Sequence, residues 1–400
     1  MLTRRALLAS TSLAAADWPQ WRGPARDGRV TESNLLKLWP AEGPKQLWQA
    51  EGLGEGYSSY AIANGKLYTQ GQKDNAQWVL CFDALSGKQI WKVKAGSYYP
   101  QDRGPGPRGT PTLDGDTLYS LSADGTLVSL AAATGKQNWT MNILDKFGGR
   151  NIHWGLSESP LVDGHRLIVQ PGGPDHAVVA LEKTTGKPLW HAGSDPAGYS
   201  SAIAFDFGGL RNIVAFTARG AIGFNAANGY QLWNYNKVSN RTANIATPLF
   251  HEGHVFLSSD YGTGCALLKL AKTDGGVSAT EVYFNQDMKN HYCSSVLHEK
   301  HVYGFSSGIL TSMELMSGAV AWKDRSVGKG QILFANGMLV LQGENGVIAL
   351  AEATPAAYKE VSRFTFGRGG YPLWTQPVIA NGRMYVRDQD KLVCFSVAAG

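Results

Sequence analysis

The chain has 400 residues, with 48 glycines, 12 tryptophans and a formal net charge of +5. This length allows two ordinary domains or one large all-β domain, and glycine at about twice its usual share indicates many tight turns. The small net charge and the lack of a lysine/arginine run exclude a nucleic-acid groove. The sequence has no run of about 18 apolar residues, so we expect no transmembrane helix.

The first 16 residues are typical of a bacterial export signal. Arg4 and Arg5 precede a short alanine-rich apolar stretch, and the three alanines at 14–16 form an A-x-A cleavage site. The arginine pair resembles a twin-arginine signal. We therefore predict a periplasmic or extracellular protein. No cysteine lies near Ala16, so no lipid anchor is expected. The alternative is a disordered N-terminus.

Residues 17–44 begin with DWPQWRGPARDG, a pattern that the rest of the chain does not repeat. We predict an extended, proline-punctuated segment that packs on the folded domain, with Trp18 and Trp21 between its structural units, near the seam where the two ends of the domain meet. The alternative is that these two tryptophans and Arg22 contribute to a binding site.

From residue 45 onward the chain is dominated by an internal repeat. SGKQIW, TGKQNW, TGKPLW, NGYQLW and SGAVAW share a small polar residue, a glycine and a tryptophan, and degenerate copies fill the gaps. The repeat's aromatic positions are Trp48, Trp91, Trp139, Trp190, Trp233, Tyr283, Trp322 and Phe364. They are 39 to 51 residues apart. A period of about 40 to 50 residues with β patterning indicates the blades of a propeller.

One unit, residues 108–139, shows the sequence pattern that predicts a blade. TPTLDG, DTLYSLS, LVSLAA and QNW are short β patterns separated by Asp-Gly and Thr-Gly turns, in which glycine supplies the positive φ. Four short antiparallel strands make one blade. The tryptophan on the outer strand is expected to pack between neighbouring blades, where its ring buries a large area.

The two ends of the repeat region complement each other. The last unit, after Trp374, supplies three strands, and Lys45–Glu51 is a lone outer strand. We predict that Lys45–Glu51 completes the last blade, which ties the ends of the domain together and removes an open sheet edge. Residues 45–400 are then a single all-β domain, an eight-bladed propeller. Seven blades is the alternative if the unit around Tyr283 is misread.

The four cysteines, Cys81, Cys265, Cys293 and Cys394, form no C-x-x-C motif. Four thiols in so long a chain do not make a disulfide framework. We expect buried free thiols, and the pairing of Cys265 with Cys293 stays open.

The repeat resembles a known family. CFDALSGKQIW and VVALEKTTGKPLW are similar to the repeat of the pyrroloquinoline-quinone (PQQ) type propellers, A-x-D-x-x-T-G-K-x-x-W, over residues 45–397. Members of that group include quinoprotein alcohol dehydrogenases and the non-enzymatic outer-membrane assembly protein BamB. The resemblance implies the propeller fold, but a fold does not carry an activity.

The sequence also departs from both groups. The dehydrogenases usually carry two adjacent cysteines at the quinone and are longer, and here no two cysteines are neighbours and no C-x-x-C-H haem motif is present. BamB is lipid-anchored, whereas no lipobox cysteine is found. Neither activity transfers directly.

The candidate site lies on one face of the propeller. Loops that join the fourth strand to the next first strand, and the second strand to the third, share an upper face, and four of them are rich in aromatic and charged residues: 95–108, 143–158, 285–292 and 366–374. Function tends to lie on loops held by a rigid scaffold. The residues expected at the funnel rim are Tyr57, Arg108, Glu158, Tyr199, Asn244, Tyr292 and Trp374. Such a ring suits a planar, polar or anionic ligand, and a merely polar, water-filled channel mouth is the alternative.

Three residues are weak candidates for a calcium site: Glu158, Asn244 and Asp260. Their oxygens suit a hard cation, but no recognised motif spaces them. We therefore predict no metal.

The favoured function is an exported, monomeric, non-catalytic binding or scaffold protein that engages an envelope protein, peptide or glycan through the upper face. The alternative is a small quinoprotein-like oxidoreductase that binds PQQ and calcium in the funnel. A polysaccharide-acting enzyme is a third hypothesis, without a specific motif.

Overall fold

The computed structural model describes residues 16–367 and 370–399, so residues 1–15 of the predicted export signal lie outside the described part of the chain. The described residues form eight sheets, each built from four antiparallel strands that follow one another outward from the centre, and one of the eight gains a fifth, parallel strand at its inner edge. This is the predicted eight-bladed propeller, and it confirms the fold class. Among the described residues, no helix is long and apolar enough to span a membrane.

Blades 1 to 4 follow in chain order. The strands of blade 1 are β3 (Ala61–Ala63), β4 (Lys66–Lys73), β5 (Ala76–Asp83) and β6 (Gln89–Ser97). Those of blade 2 are β7 (Thr112–Asp114), β8 (Thr117–Leu121), β9 (Thr126–Ala131) and β10 (Gln137–Asn142). Those of blade 3 are β11 (Leu161–Asp163), β12 (Arg166–Val169), β13 (Val178–Glu182) and β14 (Pro188–Ala192). Those of blade 4 are β15 (Ile203–Phe207), β16 (Leu210–Phe216), β17 (Ala221–Asn225) and β18 (Gln231–Tyr235).

Blades 5 to 8 complete the ring. The strands of blade 5 are β19 (Leu249–His251), β20 (His254–Ser259), β21 (Gly264–Thr273) and β22 (Gly276–Asn285). Those of blade 6 are β23 (Val296–His298), β24 (His301–Ser306), β25 (Ile309–Glu314) and β26 (Val320–Asp324). Those of blade 7 are β27 (Gly330–Ala335), β28 (Met338–Gly343), β29 (Val347–Glu352) and β30 (Glu360–Thr365). Blade 8 contains β31 (Val378–Ala380), β32 (Arg383–Asp388), β33 (Lys391–Ser396) and, from the other end of the chain, β2 (Gln46–Ala50).

Strand β2 closes the ring. It pairs antiparallel with β33, with Trp48 opposite Cys394 and Ala50 opposite Leu392. The prediction that Lys45–Glu51 completes the last blade is therefore correct. Since the closing strand and the last three strands come from opposite ends of the domain, main-chain hydrogen bonds hold the ends together.

The repeat's aromatic side chains link each blade to the next. The Trp91 indole N–H donates to the carbonyl of Ala132 in blade 2 at 3.0 Å, and that of Trp190 donates to Ala226 in blade 4 at 2.9 Å. Trp48, Trp139 and Trp322 make the same bond to the following blade, and Tyr283 does so through its hydroxyl. Two positions differ. Trp233 has a buried N–H without a hydrogen-bond partner among the described residues, and Phe364 packs its ring on Phe395 of blade 8.

The turn glycine of the repeat is explained by the same contact. Gly229 has a φ of +74°, and a Cβ there would lie 2.5 Å from the Trp190 ring of the preceding blade. Gly87, Gly135 and Gly186 face Trp48, Trp91 and Trp139 in the same way. The small polar-Gly-x-x-x-Trp pattern is thus a contact between adjacent blades, in which the glycine of one blade makes room for the tryptophan of the blade before it.

Residues 17–30, called here the N-terminal plug, lie across the lower mouth of the propeller. The Trp18 main chain pairs with Ile62 of blade 1, and the carbonyl of Pro19 accepts a hydrogen bond from Leu113 of blade 2 at 2.8 Å. A short strand, β1 (Arg29–Val30), adds to blade 7 parallel to β27. The plug therefore contacts the ring on several sides.

Two buried arginines fasten the plug to other blades. Arg22 donates to the carbonyls of Ser294 and Ser295 at 3.0 and 2.6 Å, at the start of blade 6. Arg26 donates to the carbonyls of Ser159 and Ala202 at 3.1 and 2.9 Å, in blades 3 and 4. Burial lowers the pKa of Arg22 to about 10 and that of Arg26 to about 9, so both guanidinium groups stay charged at neutral pH.

The two plug tryptophans lie in different surroundings. Trp18 is buried in the apolar cluster shared by blades 7, 8 and 1, near the ring closure, as predicted. Trp21 departs from the prediction that it packs between blades near the seam. Its N–H donates to the hydroxyl of Thr247 at 2.9 Å, beside blade 5, and its ring lines a cavity at the centre of the propeller.

The 143–158 loop contains the short helix α1 (Ile143–Phe147). Asn142 caps it, because its side-chain oxygen accepts from the main-chain N–H groups of Leu144 and Asp145. All four cysteines lie in the described part of the chain and are buried free thiols, as predicted. Burial raises the pKa of each thiol to about 11 or 12.

Candidate functional site

A cavity of about 410 Å³ lies on the propeller axis. Its lining comes mainly from the loops that precede the inner strands, which are the upper-face loops of the sequence analysis. The described lining residues are Trp21, Tyr57, Arg103, Arg108, Trp154, Ser157, Ser159, Tyr199, Ser201, Ile245, Tyr261, His291, Tyr292, Lys329, Gln331, Trp374 and Gln376. Because Trp21 belongs to the plug at the lower mouth, it forms the floor of this cavity.

One wall is a continuous aromatic surface centred on Trp374. Its ring lies 5.1 Å from Tyr57 on one side and 5.1 Å from Tyr292 on the other. His291 extends this surface to Tyr261, whose hydroxyl lies 2.9 Å from the His291 Nε2. Offset rings at these distances are favourable aromatic pairs.

The opposite wall is formed by Trp154 and Tyr199. Their ring centroids are 5.6 Å apart, and the main-chain N–H of Trp154 donates to the Tyr199 hydroxyl at 3.3 Å. Tyr199 precedes blade 4 and Trp374 precedes blade 8. In a ring of eight blades these two blades face each other, so the two walls stand on opposite sides of the axis.

Three cationic side chains line the cavity. The Arg108 guanidinium lies 5.0 Å from the Tyr57 ring and donates to the carbonyls of Trp154 and Gly104 at 3.2 and 3.0 Å. The Lys329 ammonium lies 5.3 Å from the Tyr292 ring. The side chain of the third cation, Arg103, is 70% exposed. Arg108 and Lys329 therefore place positive charge beside the two tyrosine rings that flank Trp374.

The cavity carries no compensating negative charge from its described lining, since none of those residues is an aspartate or a glutamate. Burial, and then the nearby Lys329, lower the pKa of His291 to about 4, so this ring is neutral at pH 7. Burial raises the pKa of Tyr57 to about 12, so its hydroxyl keeps its proton. The site is therefore electropositive at neutral pH.

Uncharged polar groups line the deeper part, and several of them join blades. The Ser159 hydroxyl accepts from the Thr110 N–H, and the Ser201 hydroxyl accepts from the Ser159 N–H, each at 2.9 Å. The side chain of Gln331 donates to the carbonyl of Trp374 at 2.8 Å, and the Trp374 indole donates to Glu344 at 2.9 Å. The aromatic wall is thus held in place by hydrogen bonds behind it.

Five of the seven residues predicted at the funnel rim line this cavity: Tyr57, Arg108, Tyr199, Tyr292 and Trp374. Glu158 and Asn244 are not among its described lining. The Glu158 carboxylate accepts from the main-chain and side-chain nitrogens of Gln170 at 2.6 and 2.7 Å. Asn244 donates to the carbonyl of Thr217 at 2.9 Å. Both side chains are buried; Glu158 is bonded within blade 3, whereas Asn244, which precedes blade 5, is bonded to blade 4.

The three weak calcium candidates are hydrogen-bonded to different partners. Glu158 is bonded to Gln170, Asn244 to Thr217, and Asp260 accepts from the Ser307 hydroxyl at 2.9 Å. Within residues 16–367 and 370–399, no group of three or more histidine, cysteine, aspartate or glutamate side chains could hold a metal. The described lining therefore does not fit a calcium-held quinone.

Burial raises the pKa of Glu158 to about 7, although its bonds to Gln170 and the charge of Arg26 oppose the shift. This buried carboxyl interacts electrostatically with Arg26 of the plug and is not among the described lining of the cavity.

Sequence reasoning did not single out Trp21 as a floor or Arg103, Trp154, Tyr261, His291 and Lys329 as lining. Three of them, Arg103, Trp154 and His291, lie in the loops 95–108, 143–158 and 285–292, whose aromatic and charged residues are the sequence signal that points to them. Trp21 lies more than 200 residues from its partner Thr247, and no local pattern encodes that contact.

Residues 75–324, more than half of the chain, match the protein family described as outer membrane protein assembly factor BamB. The chain belongs to this family. Over 250 residues it is 27% identical to the BamB of Burkholderia pseudomallei, a match that covers 52% of this chain and 63% of that protein. It is 23% identical to the BamB of Yersinia pestis over 337 residues, covering 76% and 77% of the two chains.

A second relative is an enzyme. The chain is 30% identical over 140 residues to the quinohemoprotein alcohol dehydrogenase ADH IIB of Pseudomonas putida, a match that covers 32% of this chain and 18% of the enzyme. The chain thus spans less than two thirds of the Burkholderia BamB and under a fifth of the dehydrogenase.

Solved structures share the fold. BamB from Moraxella catarrhalis superposes with a TM-score of 0.65 at 15% identity, covering 88% of this chain and 97% of that one. The quinohemoprotein alcohol dehydrogenase ADHIIG of Pseudomonas putida HK5 gives 0.64 at 12% identity, covering 96% and 81%. At these identities the likeness establishes the propeller fold alone.

Proposed function

We propose that this protein is an exported, non-catalytic binding propeller that engages an envelope partner, a protein, peptide or glycan, through its upper face. The observation that carries the proposal is the electropositive aromatic cavity on that face, held by a rigid ring of blades and surrounded by long loops. Rigid scaffolds with long loops on one face are typical of binding proteins.

Membership of the BamB family supports a role in binding rather than in catalysis, since its relatives are named as assembly factors. The predicted export signal supports a place in the envelope. The described lining contains no aspartate or glutamate, and in the described part of the chain no group of three or more histidine, cysteine, aspartate or glutamate side chains could hold a catalytic ion. The fixed walls and fixed charges are suited to holding a partner group in place.

The proposal is tested by photo-crosslinking in the protein's native cells. A photoreactive phenylalanine analogue replaces Tyr261, which lines the cavity and is 43% exposed. The control position is Tyr230, which is 64% exposed on the turn between β17 and β18, on the opposite face. We expect a discrete envelope partner to be captured from position 261 and not from 230. Equal capture from both, or capture from 230 alone, would contradict the proposal.

The second candidate function is that of a quinoprotein-like oxidoreductase, favoured by the dehydrogenase relative and by the aromatic walls. The residues present do not fit its calcium ion, as described above. Calorimetric titration with PQQ, with and without Ca²⁺, and a dye-linked alcohol assay test this candidate. Calcium-dependent binding with alcohol turnover would replace the binding-protein proposal, and binding without turnover would not.

A further inference from the structure

The three cationic side chains that line the cavity favour an anionic ligand. Within the described residues, Lys329 and Arg108 form no ion pair, and the ion pair of Arg103 is a 3.9 Å contact with Asp102, whose side chain is itself 75% exposed. Asp102 also acts electrostatically on Arg108, but no carboxylate belongs to the described lining, so an anion bound in the cavity would be attracted to these cations. The sign of the ligand's charge follows from this arrangement.

The walls indicate the shape of the ligand. Trp374 with its neighbours stands on one side of the axis, and Trp154 with Tyr199 stands on the other. A flat ring between two aromatic walls makes favourable stacked or edge contacts with both. The volume of about 410 Å³ lies near the lower end of the range of about 300–1,000 Å³ for small-molecule sites.

The floor limits the length of the ligand. Trp21 closes the lower side, and its N–H is already bonded to Thr247. The plug that carries it is fastened by Arg22 and Arg26 to three blades. A polymer therefore cannot pass through the axis, and the bound group is a small molecule or the end of a larger one.

We infer that the cavity binds a flat aromatic anion, with its ring between the two aromatic walls and its acidic groups on Lys329, Arg103 and Arg108, without a bridging metal. This inference rests on the proposed function and names the chemical class of the group that is bound. Direct charge-assisted contacts replace the metal, because the lining already supplies the positive charge.

Calorimetric titration of the mature protein with naphthalene-2,6-dicarboxylate, in calcium-free buffer containing a chelator, tests the inference. The matched neutral probe is naphthalene-2,6-dimethanol. We expect the dicarboxylate to bind at least tenfold more tightly than the diol, and its affinity to fall as salt is added.

Two variants and a control assign the charge contribution. Lys329→Gln is expected to weaken dicarboxylate binding roughly tenfold, and Arg103→Gln to weaken it less because that side chain is exposed. Lys187→Gln removes an equal charge from an exposed turn on the opposite face and should leave the affinity unchanged. Circular dichroism shows whether each variant is folded.

Several outcomes would overturn the inference. One is equal affinity for dicarboxylate and diol, and another is equal weakening by Lys329→Gln and Lys187→Gln. Binding that requires Ca²⁺ would also overturn it. If neither probe binds while position 261 still captures an envelope partner, the aromatic-anion inference fails and the binding-propeller function stands.

Discussion

The indole bonds between blades make a measurable prediction, because the ring contains a matched pair. Trp190 and Trp233 occupy equivalent outer-strand positions and are 8% and 7% exposed. Trp190 donates to the carbonyl of Ala226 at 2.9 Å, whereas the buried N–H of Trp233 has no partner among the described residues. Replacing either residue by phenylalanine removes a similar amount of packed ring, but only Trp190→Phe removes a hydrogen bond.

The expected difference follows from the worth of that bond. Losing a neutral buried hydrogen bond and leaving its acceptor unpaired costs about 1–3 kcal/mol. At position 233 the substitution instead removes an unsatisfied donor, which offsets part of the packing loss. We therefore expect Trp190→Phe to be more destabilising than Trp233→Phe by about 1–2 kcal/mol in the free energy of unfolding.

Equilibrium urea unfolding of the wild type and both variants measures this difference, provided that all three have the same m-value. Equal losses would refute the reasoning that the interblade indole bond contributes to stability. A larger loss for Trp233→Phe would indicate that ring packing outweighs the hydrogen bond.

Three further substitutions test other parts of the fold. Gly229→Ala places a Cβ 2.5 Å from an indole ring, whereas the control Gly164→Ala has a similar positive φ and open space around the new Cβ. Urea unfolding should therefore show Gly229→Ala to be more destabilising than Gly164→Ala by about 1–3 kcal/mol. The pKa of Glu158 is raised to about 7 in the fold. Because the carboxyl of the unfolded chain ionises at lower pH, the free energy of unfolding should fall by about 3 kcal/mol as pH rises from about 4.5 to 7. Glu158→Gln should remove most of this decline when unfolding is measured across that pH range, and an unchanged slope would contradict the reasoning. Arg22→Met should cost roughly 3 kcal/mol or more in thermal or urea unfolding, because it leaves buried carbonyls unpaired, whereas Arg363→Met, which loses an exposed ion pair, should cost under about 1 kcal/mol. Similar losses for the two arginines would refute the role of the plug's charge.

The sequence was sufficient for the fold because the fold is periodic. Five of the eight blades repeat the same glycine and tryptophan, and the structure shows these two residues in contact across neighbouring blades, as with Gly229 and Trp190. The closing strand was also predictable, because its partner strand was missing from the last unit. Local turn chemistry and a regular period therefore determine the architecture.

The site was less predictable, because it depends on which way a side chain turns at the start of an inner strand. Glu158 and Tyr199 occupy similar sequence positions, but Glu158 is bonded within its own blade to Gln170 and Tyr199 lines the cavity. Trp21 reaches the axis only because the plug crosses the lower mouth. Such contacts depend on tertiary packing, which has no period in the sequence.

The most direct test of the central claim is an electron-density map of the protein soaked with naphthalene-2,6-dicarboxylate in calcium-free buffer. The account predicts a flat ring between Trp374 and Trp154, above Trp21, with carboxylate oxygens within hydrogen-bond distance of Lys329 or Arg108. A cavity that contains only water at a saturating probe concentration, or a ring bound on another surface, would contradict it.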